Sequence, residues 1–479
     1  MKMKWMGFIS LVFLLGNTIS FAGEKITLSE FSISKAVPVE GDKIALGIEI
    51  KNLAEKQLEN VSVEFFMEKD KQAAKILSRE LKSLPPGKAE TVEATWVPET
   101  NGLYELAVVV KSGGEKETFT RRVPVVVKKL YFCWWTSLET CKEKNIEYVN
   151  IAYVGKTKEG VEGWKKRGAI PCLWKGIGKE KSAEDFVKYL EGGFDKIPAE
   201  GIMFDEIGWY EKTPYGEDML QGFKDFKKKH PEIPTFVYIC GSLKPELCNI
   251  AKNPYRKEGA VDLLMLEAYF NYQIPGFNSY TRPAYFDQRI NMARDYDVLT
   301  SSIMILGIND RPGIYTTTPE DLEDQVIYIR KHAPEMPGIG FFGTHTAVDV
   351  VADELIFKYF ISPVVTSWDR DILFSNHSPK AGEEITIFAN LYNIGGMDAK
   401  GVQARFYAGD PEYGGRQIGE EINIAKISAK EGVPSGVKKI STGWKPAKKG
   451  NQTIFLELAC DDPAVTILEG KIKRTILVR

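Results

Sequence analysis

The chain has 479 residues, 43% of them hydrophobic, with 63 basic against 65 acidic side chains and a net charge near -2. That length exceeds one hydrophobic core and predicts about three units of ~100 to 200 residues each. Balanced charge leaves no basic excess for a nucleic-acid partner. Four His and six Cys, in no ligand spacing, exclude a zinc pattern, and neither metal nor cofactor is expected.

In chain order, residues 1–22 (MKMKWMGFISLVFLLGNTISFA) come first. Lys2 and Lys4 precede roughly a dozen apolar residues, and Ser20 and Ala22 suit the positions before a cut, so a signal peptide cleaved after Ala22 is expected. The apolar run falls short of the ~20 residues that span a bilayer, and no later segment reaches it. The mature chain is therefore expected to be secreted, periplasmic or at the cell surface, with no integral membrane segment. Export permits disulfides, but Cys133, Cys141, Cys172, Cys240, Cys248 and Cys460 are too few for a disulfide scaffold.

Residues 23–127 and 365–479 contain a repeat. VPVEGDKIALGIEIKNLAEKQLENVSVEFF from Val37 aligns without a gap with SPKAGEEITIFANLYNIGGMDAKGVQARFY from Ser378. Gly41 matches Gly382, Asn52 matches Asn393, Val61 matches Val402 and Phe65 matches Phe406. Trp96-x-Pro98 with Gly102 recurs as Trp444-x-Pro446 with Gly450. Period-two alternation in KIALGIEIKN and EITIFANLYN, punctuated by Gly, Pro and Asn, predicts an all-β immunoglobulin-like sandwich for each copy. Both resemble the CARDB family of bacterial immunoglobulin-like modules, the C-terminal copy through YNIGGMDAKGVQARFYAGDP, GGRQIGE and TGWKP. The resemblance implies non-catalytic spacers that would tie the protein to a cell surface.

Between them, residues 128–364 change pattern. Eight apolar, β-rich runs (LYFCWW, EYVNIAYV, AIPCLWKG, GIMFDE, TFVYICG, DLLMLEAYF, SIMILGIND and GIGFFGTH) alternate with helical stretches such as SAEDFVKYLEGGFDK and TPEDLEDQVIYIRKH. Ser182 and Thr318 are expected N-caps, each with Asp three residues on. Eight βα units in ~240 residues predict a (β/α)8 TIM barrel.

The active end of such a barrel is the C-terminal end of its strands. In strand four, Ile202 and Phe204 share one face, so Met203 and Asp205 point inward. In strand six, Leu264 and Leu266 take the helix side, leaving Met265 and Glu267 inward. Two carboxylates at the ends of strands four and six would then face one cavity at the spacing of glycoside hydrolysis. A buried carboxylate needs a partner or a use. Lys175, ending strand three, is the expected partner of Asp205, either as a structural ion pair or as the cation that keeps a nucleophile ionised. Aromatics crowd the expected rim: Trp134 and Trp135 after strand one, Tyr153 after two, Trp174 after three, Trp209 and Tyr210 after four, Tyr238 on five, Tyr269 and Phe270 after six. Flat rings suit the C–H faces of sugars. Asn309, Asp310 and His345, ending strands seven and eight, would hydrogen-bond hydroxyls.

GIMFDEIGWY and LLMLEAYF resemble the strand-four G-x-x-x-D and strand-six E-x-x-F elements of the endo-α-1,4-polygalactosaminidase-like glycoside hydrolases. More distantly they are similar to the α-galactosidase and dextranase clan. The resemblance covers the barrel alone and implies Asp205 as nucleophile and Glu267 as acid/base on a carbohydrate substrate. Proton donation at neutral pH would call for a raised pKa at Glu267, which Met265, Tyr269 and Phe270 would provide by their apolar character. Glu206, outside the family pattern, leaves open that it is the proton donor instead. A glycan-binding or assembly protein with an idle barrel is the alternative of another class.

Overall fold

The computed structural model of the chain describes residues 26–29, 31–135, 146–154, 157–176, 182–207, 216–240, 245–252, 259–268, 282–308, 318–343, 348–429 and 437–479. The expected signal segment and Cys141 lie outside these residues. Among the described residues no helix is long and apolar enough to cross a membrane.

The repeat folds as two sandwiches with the same strand order. In the N-terminal one, Ile44–Asn52 pairs with Ala89–Trp96 in one sheet, and Leu58–Lys69 lies between Gln72–Leu84 and Gly102–Ser112 in the other. In the C-terminal one, Ile385–Asn393 pairs with Val437–Trp444, and Ala399–Ala408 lies between Arg416–Ile427 and Gly450–Cys460. Alternate residues of both sheets meet in one core per sandwich, with Ile48, Val63, Phe65 and Val108 in the first and Ile387, Ala404, Phe406 and Leu456 in the second.

Turn chemistry accounts for the shared glycines and Trp-x-Pro. Gly41 has φ 81° and its N–H donates to the Pro98 carbonyl at 2.8 Å; Gly382 has φ 84° and donates to Pro446 at 2.8 Å. A side chain at either would strain the left-handed backbone. The shared asparagines are buried brackets. Asn52 Nδ2 donates to the carbonyls of Lys56 (2.9 Å) and Leu84 (2.8 Å), and Asn393 Nδ2 to those of Met397 (2.8 Å) and Ile427 (3.0 Å).

The eight central runs form a closed parallel barrel. Its strands, first to eighth, are Tyr131–Trp135, Ile151–Tyr153, Ile170–Lys175, Gly201–Ile207, Thr235–Ile239, Leu263–Ala268, Ser302–Gly307 and Gly338–Phe342. A helix follows each strand from the second onward: Lys158–Lys166, Ala183–Glu191, Gly216–Lys229, Pro245–Ile250, Arg282–Asp295, Pro319–His332 and Asp349–Ile356. Ser182 Oγ accepts from the Asp185 N–H and Thr318 Oγ1 from the Asp321 N–H, both at 3.1 Å, so both expected N-caps form. Residues alternate between two cores, with one irregularity in the fourth strand between Phe204 and Ile207. Cys133, Ile151, Cys172, Met203, Phe236, Leu263, Met265, Ile303 and Ile305 fill the interior, whereas Phe132, Ala152, Ile202, Phe204, Val237, Leu264, Met304 and Phe341 face the helices. Phe204, for example, packs against Phe186 and Phe223 at centroid distances of 5.5 and 5.3 Å.

The three units meet at one turn. Gly396, after the bracket Asn393, accepts at its carbonyl from Val127 N–H (2.9 Å) and donates to the Ile361 carbonyl (3.2 Å). The neighbouring Ile394 carbonyl accepts from Lys128 Nζ at 3.4 Å and from Arg330 Nη2. Arg330 is 1% exposed and also donates to Pro334 and Met336 carbonyls. Burial pushes its guanidinium down to about 9 and the Lys128 ammonium down to about 7.

Candidate active site

Parity and one hydrogen bond build the site. Glu267 follows the interior residue Met265 in unbroken register, whereas Asp205 follows the interior residue Met203 where the pairing of the fourth strand with the fifth shifts between Phe204 and Ile207, and it is Trp174 that ties its carboxylate to the third-strand end. Both stand at the C-terminal ends of strands separated only by the fifth. Asp205 is half-buried and Glu267 is 7% exposed. With strands ~4.8 Å apart, two inward side chains from alternate strands converge on one end of the barrel.

Trp174, 47% exposed, occupies the interior position at the end of the third strand and donates its indole N–H to Asp205 Oδ2 at 3.1 Å. Its ring lies over Gly176, where a Cβ would stand 3.1 Å from the indole carbons, so the residue after Lys175 has to be small for this rotamer. Trp135 and Tyr153, ending the first two strands on the same face, stack with centroids 5.7 Å apart and an interplanar angle of 17°. Tyr238 meets Trp135 edge-on at 4.7 Å, and Phe342 of the eighth strand lies 6.0 Å from it. These rings form an apolar wall beside the carboxylates.

Tyr238 is fully buried, so it belongs to the floor and not to the rim expected from sequence. Its hydroxyl meets Cys133 Sγ at 3.4 Å. Burial pushes the Cys133 thiol up to about 12, against the opposing effect of that hydrogen bond, and pushes Cys172 well above the usual thiol range. Both stay neutral thiols, which excludes them as nucleophiles at neutral pH.

Two expected site residues face the other way. Lys175, expected beside Asp205, instead reaches toward the helix that follows its strand. Lys175 Nζ donates to the carbonyls of Tyr189 (2.6 Å) and Gly192 and lies 4.7 Å from the Tyr189 centroid. It thereby caps the C-terminal end of the helix Ala183–Glu191, where a cation is favoured. Trp134 is fully buried among the helices, packs on Phe341 at 5.6 Å and donates its indole N–H to the Gly343 carbonyl at 2.9 Å. The same parity rule that places Asp205 and Glu267 inward puts Lys175 and Trp134 outward.

Glu206 continues the fourth strand, but its side chain lies outside the described residues, as do Trp209, Tyr210, Tyr269, Phe270, Asn309, Asp310 and His345. Sequence reasoning passed over Phe342, which parity within GIGFF identifies, and Tyr285 and Arg289 of the helix after the sixth strand, which lie behind Glu267. Among the described residues no cluster of His, Cys, Asp and Glu is arranged to hold a metal ion.

Residues 26–118 match the CARDB family. No curated protein matches the sequence. Among solved structures, the chain is similar to the beta-glucuronidase of Parabacteroides merdae, with 10% identity over 94% of this chain and 64% of that one, at a TM-score of 0.31. It is similar to a cycloisomaltooligosaccharide glucanotransferase of Paenibacillus sp., with 8% identity over 94% and 72% and a TM-score of 0.33. A GH2 beta-galacturonidase of Eisenbergiella tayi gives 12% identity over 66% and 64% and a TM-score of 0.30. The chain thus spans less than two thirds of the glucuronidase and of the galacturonidase, and scores of this size transfer no activity to it. The N-terminal sandwich carries a CARDB domain.

Proposed function

We propose that the chain is an exported glycoside hydrolase whose (β/α)8 barrel works by a two-carboxylate, retaining mechanism. The observation that carries this reading is the pair Asp205 and Glu267, inward-facing at the C-terminal ends of alternate strands beside a wall of flat rings. The strand-four and strand-six likeness to polygalactosaminidase-like enzymes supports the same division of roles.

Asp205 attacks the anomeric carbon while Glu267 gives its proton to the leaving glycosidic oxygen. Glu267 then takes a proton from water, whose oxygen displaces Asp205 from the glycosyl ester. The Trp174 N–H at 3.1 Å suits an ionised Asp205 and orients its carboxylate. Trp135 and Tyr153 supply stacking surface for a sugar ring. The sandwiches serve as non-catalytic modules that hold the enzyme at the cell surface.

The test is release of reducing ends from a polysaccharide panel that includes α-1,4-linked polygalactosamine. Asp205→Asn and Glu267→Gln should each lose at least ~1,000-fold in kcat with the circular dichroism of the folded chain intact. Glu206→Gln should retain activity, and the anomer first released should keep its configuration. Full hydrolysis by either the Asp205 or the Glu267 variant removes the assignment.

A further inference from the structure

The strand end that bears Glu267 is held from behind by a buried cation. Arg289, 4% exposed, lies on the helix Arg282–Asp295. Its Nη2 donates to Tyr285 Oη at 2.6 Å and to the Cys240 carbonyl at 2.8 Å, and its Nε reaches the same hydroxyl at 3.2 Å. With two donors directed at it, the Tyr285 hydroxyl turns its own proton to the Glu267 carbonyl at 3.2 Å. The guanidinium carbon also lies 5.0 Å from the Tyr285 ring centroid.

Cys240 directly follows the fifth strand, and Glu267 is the penultimate residue of the sixth. One side chain therefore fixes the ends of two adjacent strands, one of them bearing the proposed acid/base. Burying a guanidinium costs several kcal/mol of hydration, and an apolar residue would fill the same space without that cost. Burial pushes the Tyr285 hydroxyl up, against the lowering effect of the Arg289 charge and hydrogen bonds.

We infer that Arg289 and Tyr285 are the positioning residues of Glu267, an inference that rests on the hydrolase reading above. Arg289 orients the Tyr285 hydroxyl, which fixes the backbone at 267 so that the carboxyl projects at the leaving oxygen. Neither residue touches the sugar.

The experiment measures kcat and KM on the best polysaccharide of the panel, together with thermal midpoints. Arg289→Met should lower kcat about 100-fold, the scale set by a misplacement of ~1 Å at a reacting group, with KM nearly unchanged. Tyr285→Phe, which keeps the ring but removes the bond to the Glu267 carbonyl and the acceptor of two Arg289 bonds, should lower kcat about 10-fold or more. Arg289→Lys, which keeps the charge and loses the fork, should fall between wild type and Arg289→Met. Guanidinium ion at millimolar concentration should restore part of the kcat of Arg289→Ala, a response that packing alone would not give. Wild-type kcat and KM in Tyr285→Phe and Arg289→Met, beside an inactive Glu267→Gln, would overturn the positioning role and leave the hydrolase reading intact. If Arg289→Met fails to fold, Tyr285→Phe decides by the same criterion. An active Glu267→Gln, or a wild type that releases nothing from any polysaccharide, sinks the hydrolase reading and this role with it.

Discussion

The indole of Trp174 combines a donor with an exposed ring face, and the two can be separated by substitution. Its N–H donates to Asp205 at 3.1 Å while its ring remains 47% exposed beside the proposed substrate path. Trp174→Phe keeps a ring and loses the donor. A hydrogen bond to a charged group is worth about 1.5 kcal/mol or more, so kcat should drop about 10-fold with KM little altered. Trp174→Ala removes both functions and should raise KM as well. Steady-state kinetics of the two variants check this, and equal kinetics for Trp174→Phe and wild type would leave the N–H without a catalytic part. At this scale the sequence was legible where a polar residue marked the inward face. GIMFD and LLMLE each end on a carboxylate that apolar neighbours cannot explain. In YFCWW and CLWK both faces carry large side chains, because strands of a parallel barrel are buried on both sides. Trp134 was therefore read as rim, and Lys175 as a partner for Asp205. Arg289 and Tyr285 left no signal, since Arg289 shares the buried face of Phe286, Ile290 and Ala293, where a charge is not expected, and their target, Glu267, lies 18 or more residues away.

Among the elements, each sandwich depends on one buried amide. Asn52 and Asn393 bridge two carbonyls apiece through Nδ2, and their Oδ1 atoms accept from the N–H groups of Ala54 (2.8 Å) and Gly395 (3.1 Å) two residues on. Truncation leaves buried carbonyls and an N–H unpaired, at about 1–3 kcal/mol for each unsatisfied group. Asn393→Ala should therefore destabilise the C-terminal sandwich by about 3 kcal/mol, and Asn52→Ala the N-terminal one by a similar amount. Asp at either position, which keeps the acceptor and loses both donors, should not rescue. Urea unfolding followed in each isolated variant of the full chain checks the prediction, and a loss below about 1 kcal/mol would contradict it. The repeat was legible because turns and brackets demand particular residue types: only Gly suits φ near +80° at 41 and 382, and only Asn supplies two donors and an acceptor at that corner. Helix starts at Ser182 and Thr318 were legible for the same reason.

Across the molecule, these contacts make the sandwiches parts of one body, where the sequence suggested spacers. The turn Ile394–Gly396 reaches the end of the N-terminal sandwich through Val127, the start of the barrel through Lys128, and, through Ile361, the helical turn Phe357–Ile361 that continues the last barrel helix. Asn101 adds a second bridge, accepting from the Asp398 N–H at 2.9 Å and donating to its carboxylate at 3.2 Å. Gly396 leaves no room for a side chain: a Cβ would lie 2.7 Å from Val126 Cγ1 and 3.0 Å from both the Ile361 carbonyl and Leu130 Cδ1. All three of those neighbours belong to the other two units, so Gly396→Val would wedge the junction open. It would also weaken the acceptor at Ile394, leaving the buried charge of Arg330 less well satisfied, a costly state for a cation far from water. Scanning calorimetry should then show one transition for the wild type and two for Gly396→Val, the C-terminal sandwich melting apart from the barrel. Hydrolysis measured below the first transition should persist, because Asp205, Glu267 and Trp174 stand at the opposite end of the barrel strands from Leu130. One undivided transition in Gly396→Val, at the wild-type midpoint, would mean that the turn merely touches its neighbours and that the three units are coupled elsewhere.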